Sequence, residues 1–174
     1  MRETLRLLID HLPTPIGELH IVCDNDGALR ATFWTDREEN LRRALERIYA
    51  PLHIEMEPEQ NPHGLADALA DYFAGDVCAI DGLAVNTAGT PFQREVWQAL
   101  REIPCGTTIS YGELARRIGR PAAVRAVGLA NGANPIGVVV PCHRVIGSNG
   151  SLTGYGGGIE RKRWLLDHER QLRL

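Results

Sequence analysis

The sequence has no long hydrophobic run and no paired cysteines, and its first residues do not have the pattern of a secretory leader. None of its 174 residues falls in a stretch that approaches the roughly 18 consecutive apolar residues of a membrane-spanning helix. The N-terminus carries acidic residues and only a short apolar run, which predicts a cytoplasmic protein without a signal peptide. Four cysteines (Cys23, Cys78, Cys105, Cys142) lie far apart, so the spacing predicts reduced thiols rather than a disulfide framework or a zinc finger.

The charge is unevenly distributed along the chain. Residues 1–85 hold 7 arginines against 16 Asp and Glu, a net charge of −9, whereas residues 86–174 hold 11 arginines and one lysine against 6 acids, a net charge of +6. An acidic half followed by a basic half is typical of a chain with one module that faces nucleic acid. Uneven surface charge that serves only solubility explains the same numbers equally well.

The first half has the pattern of a small α/β domain. Its predicted elements are a hairpin over Gly17–Trp34, a helix capped by Asp36, a loop over Glu55–His63, a helix over Leu65–Phe73 that stops at Gly75, a strand over Val77–Ile80, and a linker over Gly82–Gly89. Alternating strands and helices are typical of an α/β domain. The predicted organisation is therefore an α/β domain over 1–85 and a second domain over 86–174.

The second half is predicted to be mainly helical. Thr90-Pro91-Phe92-Gln93 is a capping-box pattern that opens a helix through Arg101, and Ser110 with Glu113 opens another that ends at Gly119. A further helix runs from Pro121 to about Asn131, and the tight turn before it makes the pair a candidate helix-turn-helix. The remaining elements are a buried strand over Val138–Val140 and a closing amphipathic helix over Arg161–Leu172, with Trp164, Leu165 and His168 near one face.

The second helix of this pair has few side chains that could read bases. It offers Arg125 among small residues, so binding to DNA is expected to be tolerant of sequence and to use the minor groove, with Arg125 inserted into the duplex. A tightly packed core helix with Arg125 in solvent is an equal alternative on the residues alone.

Cys142 and His143 follow the apolar run and form a candidate nucleophile and base. The thiolate is the reactive form of cysteine, and an adjacent histidine can promote it. An isolated Cys-His pair is more often structural, because buried cysteine behaves as a small hydrophobe. Two features favour chemistry: Asn134-Pro135 upstream can fix the loop, and Glu169 downstream offers a carboxylate to hold an imidazole. In extended chain, neighbouring side chains point to opposite faces, so a water relay is expected between Cys142 and His143.

These motifs resemble those of the O6-alkylguanine-DNA alkyltransferases of bacterial type. The signature is Pro-Cys-His-Arg-Val at 141–145. Further matches are Thr90-Pro91-Phe92-Gln93, Ser110-Tyr111-Gly112, Arg125-Ala126-Val127-Gly128, Asn131, Asn134-Pro135, Gly154-Tyr155, and Trp164-Leu165-Leu166 with His168-Glu169. The ordered matches are densest from residue 90 to residue 169. They imply an α/β (α+β) fold whose second domain holds a winged-helix-like helix-turn-helix and the active-site cysteine.

The resemblance implies a role for each catalytic residue. Cys142 would accept the alkyl group, His143 would remove its proton through water, and Glu169 would orient His143. Tyr111 would give a proton to the guanine ring as it leaves, and Asn134 would shape the active-site turn. The product is a thioether that water cannot release, so a single turnover is expected, with no metal, nucleotide or other cofactor.

The resemblance also implies where DNA and the damaged base would lie. Arg125 would fill the gap left by the extruded nucleotide, because the methylated atom lies inside the duplex. The expected DNA contacts are Arg125, Tyr111, Ala123 and Ala126, and the expected base pocket is Val145, Tyr155, Gly156 and Gly157. The expected partner is double-stranded DNA containing O6-alkylguanine or O4-alkylthymine, bound largely without regard to sequence by a monomer. Cooperative loading along DNA stays open.

Two alternatives differ in their chemistry. A module that recognises alkylated bases without repairing them would lack the cysteine that is present here as Cys142. A cysteine hydrolase using Cys142, His143 and Glu169 would need an oxyanion hole, and nothing else in the sequence indicates one. A dinucleotide site at the glycines of 154–158 is excluded, because no βαβ unit follows them.

Overall fold

A computed structural model describes residues 1–171, and the chain divides into two compact units between Ala88 and Gly89. The boundary lies slightly after residue 85 because the linker belongs to the first unit. Val85 forms a parallel bridge with Leu29, and the carbonyl of Asn86 accepts a hydrogen bond from the Tyr49 hydroxyl. In residues 1–171 no helix combines the length and the apolar character needed to cross a bilayer.

A four-stranded sheet forms the centre of the first unit. Its strands are β1 (Thr4–Thr14), β2 (Gly17–Cys23), β3 (Leu29–Trp34) and β4 (His53–Pro58), in the spatial order β3-β2-β1-β4. Strands β2 and β3 are the predicted hairpin, which is confirmed, and β1 pairs antiparallel with β2 and parallel with β4. Leu19–Cys23 are all buried, so both faces of this central strand are covered.

Two helices pack on this sheet. Helix α1 (Glu38–Tyr49) buries Leu41, Leu45 and Tyr49 against Leu7, Val22 and Ala31 of the sheet. Helix α2 (Leu65–Ala74) buries Leu65, Leu69, Tyr72 and Phe73 and ends at Gly75 as predicted. Burial of this apolar surface provides the main favourable free energy for the unit.

Three predictions for the first half are wrong, and one strand was not predicted at all. The missing strand is β1, whose burial does not alternate regularly. Glu55–Pro58 belongs to edge strand β4 instead of a loop, and proline is tolerated there because an edge residue need not donate to the ladder. Asp36 lies in a 3-10 turn and does not cap α1, whose N-cap Arg37 makes no side-chain bond. Val77–Ile80 forms turns instead of a strand.

The second unit is mainly helical, as predicted. It contains α3 (Pro91–Arg101), α4 (Tyr111–Arg117), α5 (Val124–Gly132) and α6 (Ile159–Gln171). The capping box of Thr90 and Gln93 is present, and the Ser110 side chain caps α4 through the Glu113 backbone N–H. Two short parallel strands, β5 (Ile109–Ser110) and β6 (Val145–Ile146), complete the unit. Trp97 of α3 donates its ring N–H to the Ala130 carbonyl of α5 at 2.8 Å, which fixes the packing of these two helices.

Two predictions for the second half need adjustment, and a third extends beyond the described residues. Val138–Val140 is buried but forms turns, with Val138 at φ +72°, instead of a strand. A short apolar run indicates burial but not backbone conformation. Helix α5 begins at Val124 rather than at Pro121, and residue Leu172 of the predicted closing helix lies outside the described residues.

Gly89, at the start of the second unit, tests the packing around the cap of α3. Its φ is +78°, and a Cβ there would lie 2.6 Å from Trp97 Cζ3 and 2.9 Å from Gln93 Oε1. We expect Gly89→Ala to lower the free energy of unfolding by about 2–4 kcal/mol, because it combines a left-handed backbone with overpacking. Chemical denaturation measures the change.

Gly119→Ala is the matched control for the backbone contribution. Gly119 has φ +73°, yet a Cβ there would meet no atom within 4 Å. Gly119→Ala should therefore lower the free energy of unfolding by only about 1 kcal/mol. Equal losses for the two variants would show that the Trp97 contact contributes nothing.

Candidate active site

Cys142 lies at the start of a buried turn. Cys142–Arg144 form a 3-10 turn rather than the extended chain predicted, so successive side chains diverge by about 120°. Asn134 fixes the preceding segment: its Oδ1 accepts from the Ile136 N–H at 2.9 Å, and its Nδ2 donates to the Val140 carbonyl at 2.8 Å. The amide therefore bridges the turns that lead to the cysteine.

The thiol of Cys142 is held mainly in its neutral form. Only 8% of the residue is exposed, and this burial raises the pKa of the thiol. A hydrogen bond from Asn134 and the positive charge of Lys162 oppose the rise, because both favour the thiolate. Nucleophilic attack by this sulfur would therefore need a base to remove the thiol proton.

His143 is joined to Glu169 in the interior. His143 Nε2 lies 2.7 Å from Glu169 Oε1, and both residues are 0% exposed. The carboxylate can only accept, so Nε2 carries the proton and donates it. The other ring nitrogen, Nδ1, is buried with no protein partner among residues 1–171 and keeps its lone pair available. Neutral His143 is thus oriented as a proton acceptor.

Arg144 completes the network around the carboxylate. Its Nε and one terminal nitrogen each donate to Glu169 at 3.0 Å, and its other terminal nitrogen donates to the Ile103 carbonyl at 2.7 Å. Burial opposes ionisation of Glu169, but the hydrogen bonds from His143 and Arg144 and the positive charge of Arg144 overcome it and lower the pKa of Glu169. Burial lowers the pKa of His143, opposed by the charge of Glu169. Glu169 is therefore ionised, and it would stabilise an imidazolium formed at His143.

Helix α6 carries both Glu169 and a second buried charge. Lys162, Leu165, Leu166 and Glu169 are its buried residues, with the i, i+3, i+4, i+7 spacing of one helix face. The sequence prediction assigned Trp164 and His168 to that face, but these two stack on each other beside it. Sequence reasoning missed the roles of Arg144 and Lys162. The helical spacing would have indicated Lys162, because it places the lysine in line with Leu165, Leu166 and Glu169.

Tyr111 stands at the junction of the helix-turn-helix and the loop after β6. It is the first residue of α4, half-buried, and its hydroxyl lies 3.0 Å from the Thr153 hydroxyl. A Cβ at Gly128 of α5 would lie 3.8 Å from the Tyr111 ring, so the two helices approach closely there. The Tyr111 side chain is therefore held by both helices and by this loop.

The predicted DNA contacts lie together at the start of α5. Arg125 and Ala126 are exposed in its first turn, and Ala123 is its half-buried N-cap. Nearby arginines of α4 form ion pairs: Arg116 and Arg117 both contact Glu113. Small side chains beside Arg125 leave the helix backbone open to close approach.

The predicted pocket residues are less uniform. Val145 is buried in β6, Tyr155 is half-buried, Gly156 is exposed and Gly157 is buried. A Cβ at Gly156 would meet no atom within 4 Å.

Asn131, which the sequence motifs include without a role, is buried, and its side chain donates to the Cys142 carbonyl at 3.5 Å. In residues 1–171 no group of three or more His, Cys, Asp or Glu is arranged to hold a metal ion.

The buried carboxylate predicts a pH-dependent contribution to stability. Glu169→Gln should lower the free energy of unfolding by about 3 kcal/mol at pH 7, because Arg144 would lose its buried counter-charge. The folded-state pKa of Glu169 is lowered, so the contribution is full above the unfolded value of about 4.3 and is lost as the pH falls below it. Denaturant titrations at pH 7 and pH 3.5 measure the difference.

Glu160→Gln is the control, since Glu160 is an exposed acid in the first turn of the same helix. It should change stability by no more than about 0.5 kcal/mol at either pH. A Glu169→Gln loss that stays constant down to pH 3.5 would contradict the ionised buried carboxylate.

Comparisons with known proteins agree with this geometry. The family model described as "6-O-methylguanine DNA methyltransferase, DNA binding domain" matches residues 91–171. The methylated-DNA–protein-cysteine methyltransferase of Salmonella typhimurium is 56% identical over 170 residues, which are 98% of this chain and 99% of that protein. The protein of the same name from Mycobacterium tuberculosis is 54% identical over 129 residues, 74% of this chain and 78% of that one.

Solved structures show the same fold. The crystal structure of Mycobacterium tuberculosis O6-methylguanine methyltransferase matches with a TM-score of 0.75 and 41% identity, over 97% of this chain and 95% of that one. The Mycobacterium tuberculosis structure in complex with DNA matches with a TM-score of 0.74 and 39% identity, over 97% and 94% of the two chains. With its expected α/β fold confirmed, the chain belongs to the methylated-DNA–protein-cysteine methyltransferase family.

Proposed function

We propose that this protein repairs DNA by direct reversal, moving a methyl or larger alkyl group from O6-alkylguanine irreversibly onto its own Cys142. The observation that carries the proposal is the buried connection of His143, Glu169 and Arg144 beside Cys142, in a chain that belongs to this family. An oriented imidazole that can take the thiol proton supports nucleophilic attack, because it supplies the reactive thiolate. O4-alkylthymine is a second candidate substrate.

The thiol would be activated by proton transfer to His143. The proton leaves Cys142 Sγ, passes through a water molecule and binds His143 Nδ1, whose lone pair is available because Nε2 donates to Glu169. The imidazolium is then paired with the carboxylate. Because a developing positive charge beside a fixed negative one lowers the barrier, Glu169 acts as a positioning residue for the base.

The displacement forms one bond and breaks one bond. The Cys142 sulfur bonds to the alkyl carbon, the carbon–O6 bond breaks, and its electron pair goes to the purine. Tyr111 would donate its phenolic proton to the guanine ring, which avoids a full purine anion as the leaving group. Solvent then restores the proton on Tyr111 and removes the one on His143. The thioether has no leaving group for water to displace, so each molecule acts once.

DNA is the proposed partner, bound through the helix-turn-helix. The DNA complex of the Mycobacterium tuberculosis relative and the matched DNA-binding family model support this choice. Exposed Arg125 among small residues at the start of α5 favours the minor groove, where it would replace the extruded base in the stack. Ala123 and Ala126 would allow close approach, and Val145, Tyr155, Gly156 and Gly157 would frame the base. Cytoplasmic location and action as a monomer stay predictions.

Mass mapping tests the transfer itself. After incubation with a duplex that contains O6-methylguanine, the peptide with Cys142 should gain one methylene, and the reaction should saturate at one per molecule. Cys142→Ser should show no transfer, because its alcohol is a far weaker nucleophile. Cys78→Ser removes an exposed cysteine and should transfer at the wild-type rate.

Three results would contradict the proposal. An unmodified Cys142 with the lesion intact would exclude alkyl transfer and favour a recognition module. Methylation at another cysteine would show that Cys142 is not the acceptor. Repeated turnover on an ester or amide would favour a cysteine hydrolase.

Arg125→Ala tests extrusion of the base. We expect transfer from duplex DNA to slow by about 10-fold or more, because unstacking costs a few kcal/mol that Arg125 would offset. Transfer from the free modified base should change little. Arg163→Ala, which removes an exposed arginine outside the helix-turn-helix, is the control. Equal loss with duplex and free base would make Arg125 structural.

A further inference from the structure

Thr153 connects Tyr111 to the buried Lys162 in the second unit. It lies in the loop after β6, and its hydroxyl donates to the Tyr111 hydroxyl at 3.0 Å. Its backbone carbonyl accepts a hydrogen bond from Lys162 Nζ at 2.8 Å. Thr153 is thus hydrogen-bonded on two sides: its side chain to the helix-turn-helix and its backbone to α6.

Lys162 ties this loop to the strand that follows the cysteine. The lysine is 0% exposed, and its Nζ donates to the Val145 carbonyl at 2.7 Å as well as to the Thr153 carbonyl. Hydrogen bonds to a charged donor are among the stronger ones in proteins. One buried ammonium therefore fixes the position of Val145 in β6 relative to Thr153. Val145 lies three residues after Cys142, and Thr153 contacts Tyr111.

A phenol has one proton and can also accept hydrogen bonds. When the Tyr111 oxygen accepts from Thr153, its own proton is not committed to that contact and is free to be donated. We propose that Thr153 is a positioning residue for the proton transfer from Tyr111, fixed in place by Lys162. This inference rests on the proposed alkyl transfer and adds a residue to it.

The contribution of Thr153 would grow as the reaction proceeds. As Tyr111 gives its proton to the guanine ring, its oxygen becomes a phenolate, and the electron pair of the broken carbon–O6 bond remains on the purine. A hydroxyl that donates to a phenolate makes a stronger bond than one that donates to a phenol. Interactions that strengthen in the transition state raise the rate of the chemical step rather than the affinity for substrate.

Thr153→Val tests this contact, since valine has nearly the same shape and no hydroxyl. In single-turnover assays with saturating duplex that contains O6-methylguanine, we expect transfer to slow by about 10-fold while the DNA dissociation constant stays unchanged. Thr153→Ser keeps the hydroxyl and should restore the rate to within about 3-fold of wild type. Ser148→Ala removes an exposed hydroxyl from the same loop and is the matched control.

A double-mutant cycle with Tyr111→Phe separates positioning from a general structural role. Tyr111→Phe alone should slow transfer by at least about 10-fold, and adding Thr153→Val should then have less than about a 2-fold effect. An equal slowing by Thr153→Val in both backgrounds, or a wild-type rate for Thr153→Val, would overturn the inference. So would a wild-type rate for Tyr111→Phe.

The wild-type protein in the same assay distinguishes this inference from the proposed function. If wild-type Cys142 is methylated while Thr153→Val behaves as wild type, only the role of Thr153 fails. If wild-type Cys142 is not methylated, alkyl transfer itself fails. Thermal unfolding of each variant confirms that the rates compare folded proteins.

Discussion

The candidate active site depends on one buried carboxylate, Glu169, whose negative charge is balanced by Arg144 and directed at His143. An isolated carboxylate in the interior would be strongly disfavoured, so its ionised state requires both partners. The same contacts set the direction of the imidazole, because Nε2 must donate to the carboxylate. Stability and chemistry are therefore linked: the pair that keeps the charge buried also leaves Nδ1 as the proton acceptor.

Lys162 is the second buried charge of the site and contacts two further segments of the second unit. It shares a face of α6 with Glu169, so one helix contributes a buried negative charge and a buried positive charge. Glu169 acts on the histidine after Cys142, whereas Lys162 holds Val145 and Thr153 by their carbonyls. Burial lowers the pKa of Lys162, and the charge interaction with Cys142 opposes that shift by favouring the ammonium form. The docking of α6 thus holds together the segment after Cys142, the candidate base His143 and the loop that contacts Tyr111.

Local signals in the sequence predicted the elements whose structure is decided locally. The Gly17–Trp34 hairpin has turn chemistry between alternating runs, and α3 has a capping box formed by four consecutive residues. Predictions failed where specific hydrogen bonds, rather than the apolar or turn-forming pattern, set the backbone. Strand β4 exists because β1 pairs with it, and the buried Val138–Val140 segment turns because Val140 bonds back to the Ile136 carbonyl and to the Asn134 side chain. Apolar character indicated burial there without specifying the backbone.

The sequence by itself determined the family, and it indicated the candidate nucleophile, base and carboxylate, since these residues stand in ordered motifs that a linear pattern can reveal. Only the tertiary structure decided how they act together. The sequence does not distinguish Arg144 from an ordinary surface charge, because only the fold places it in the interior, and Thr153 is 42 positions from Tyr111. The physical reason is that burial and pairing depend on which segments meet in space, and a motif records residue types but not the solvent or partners around them.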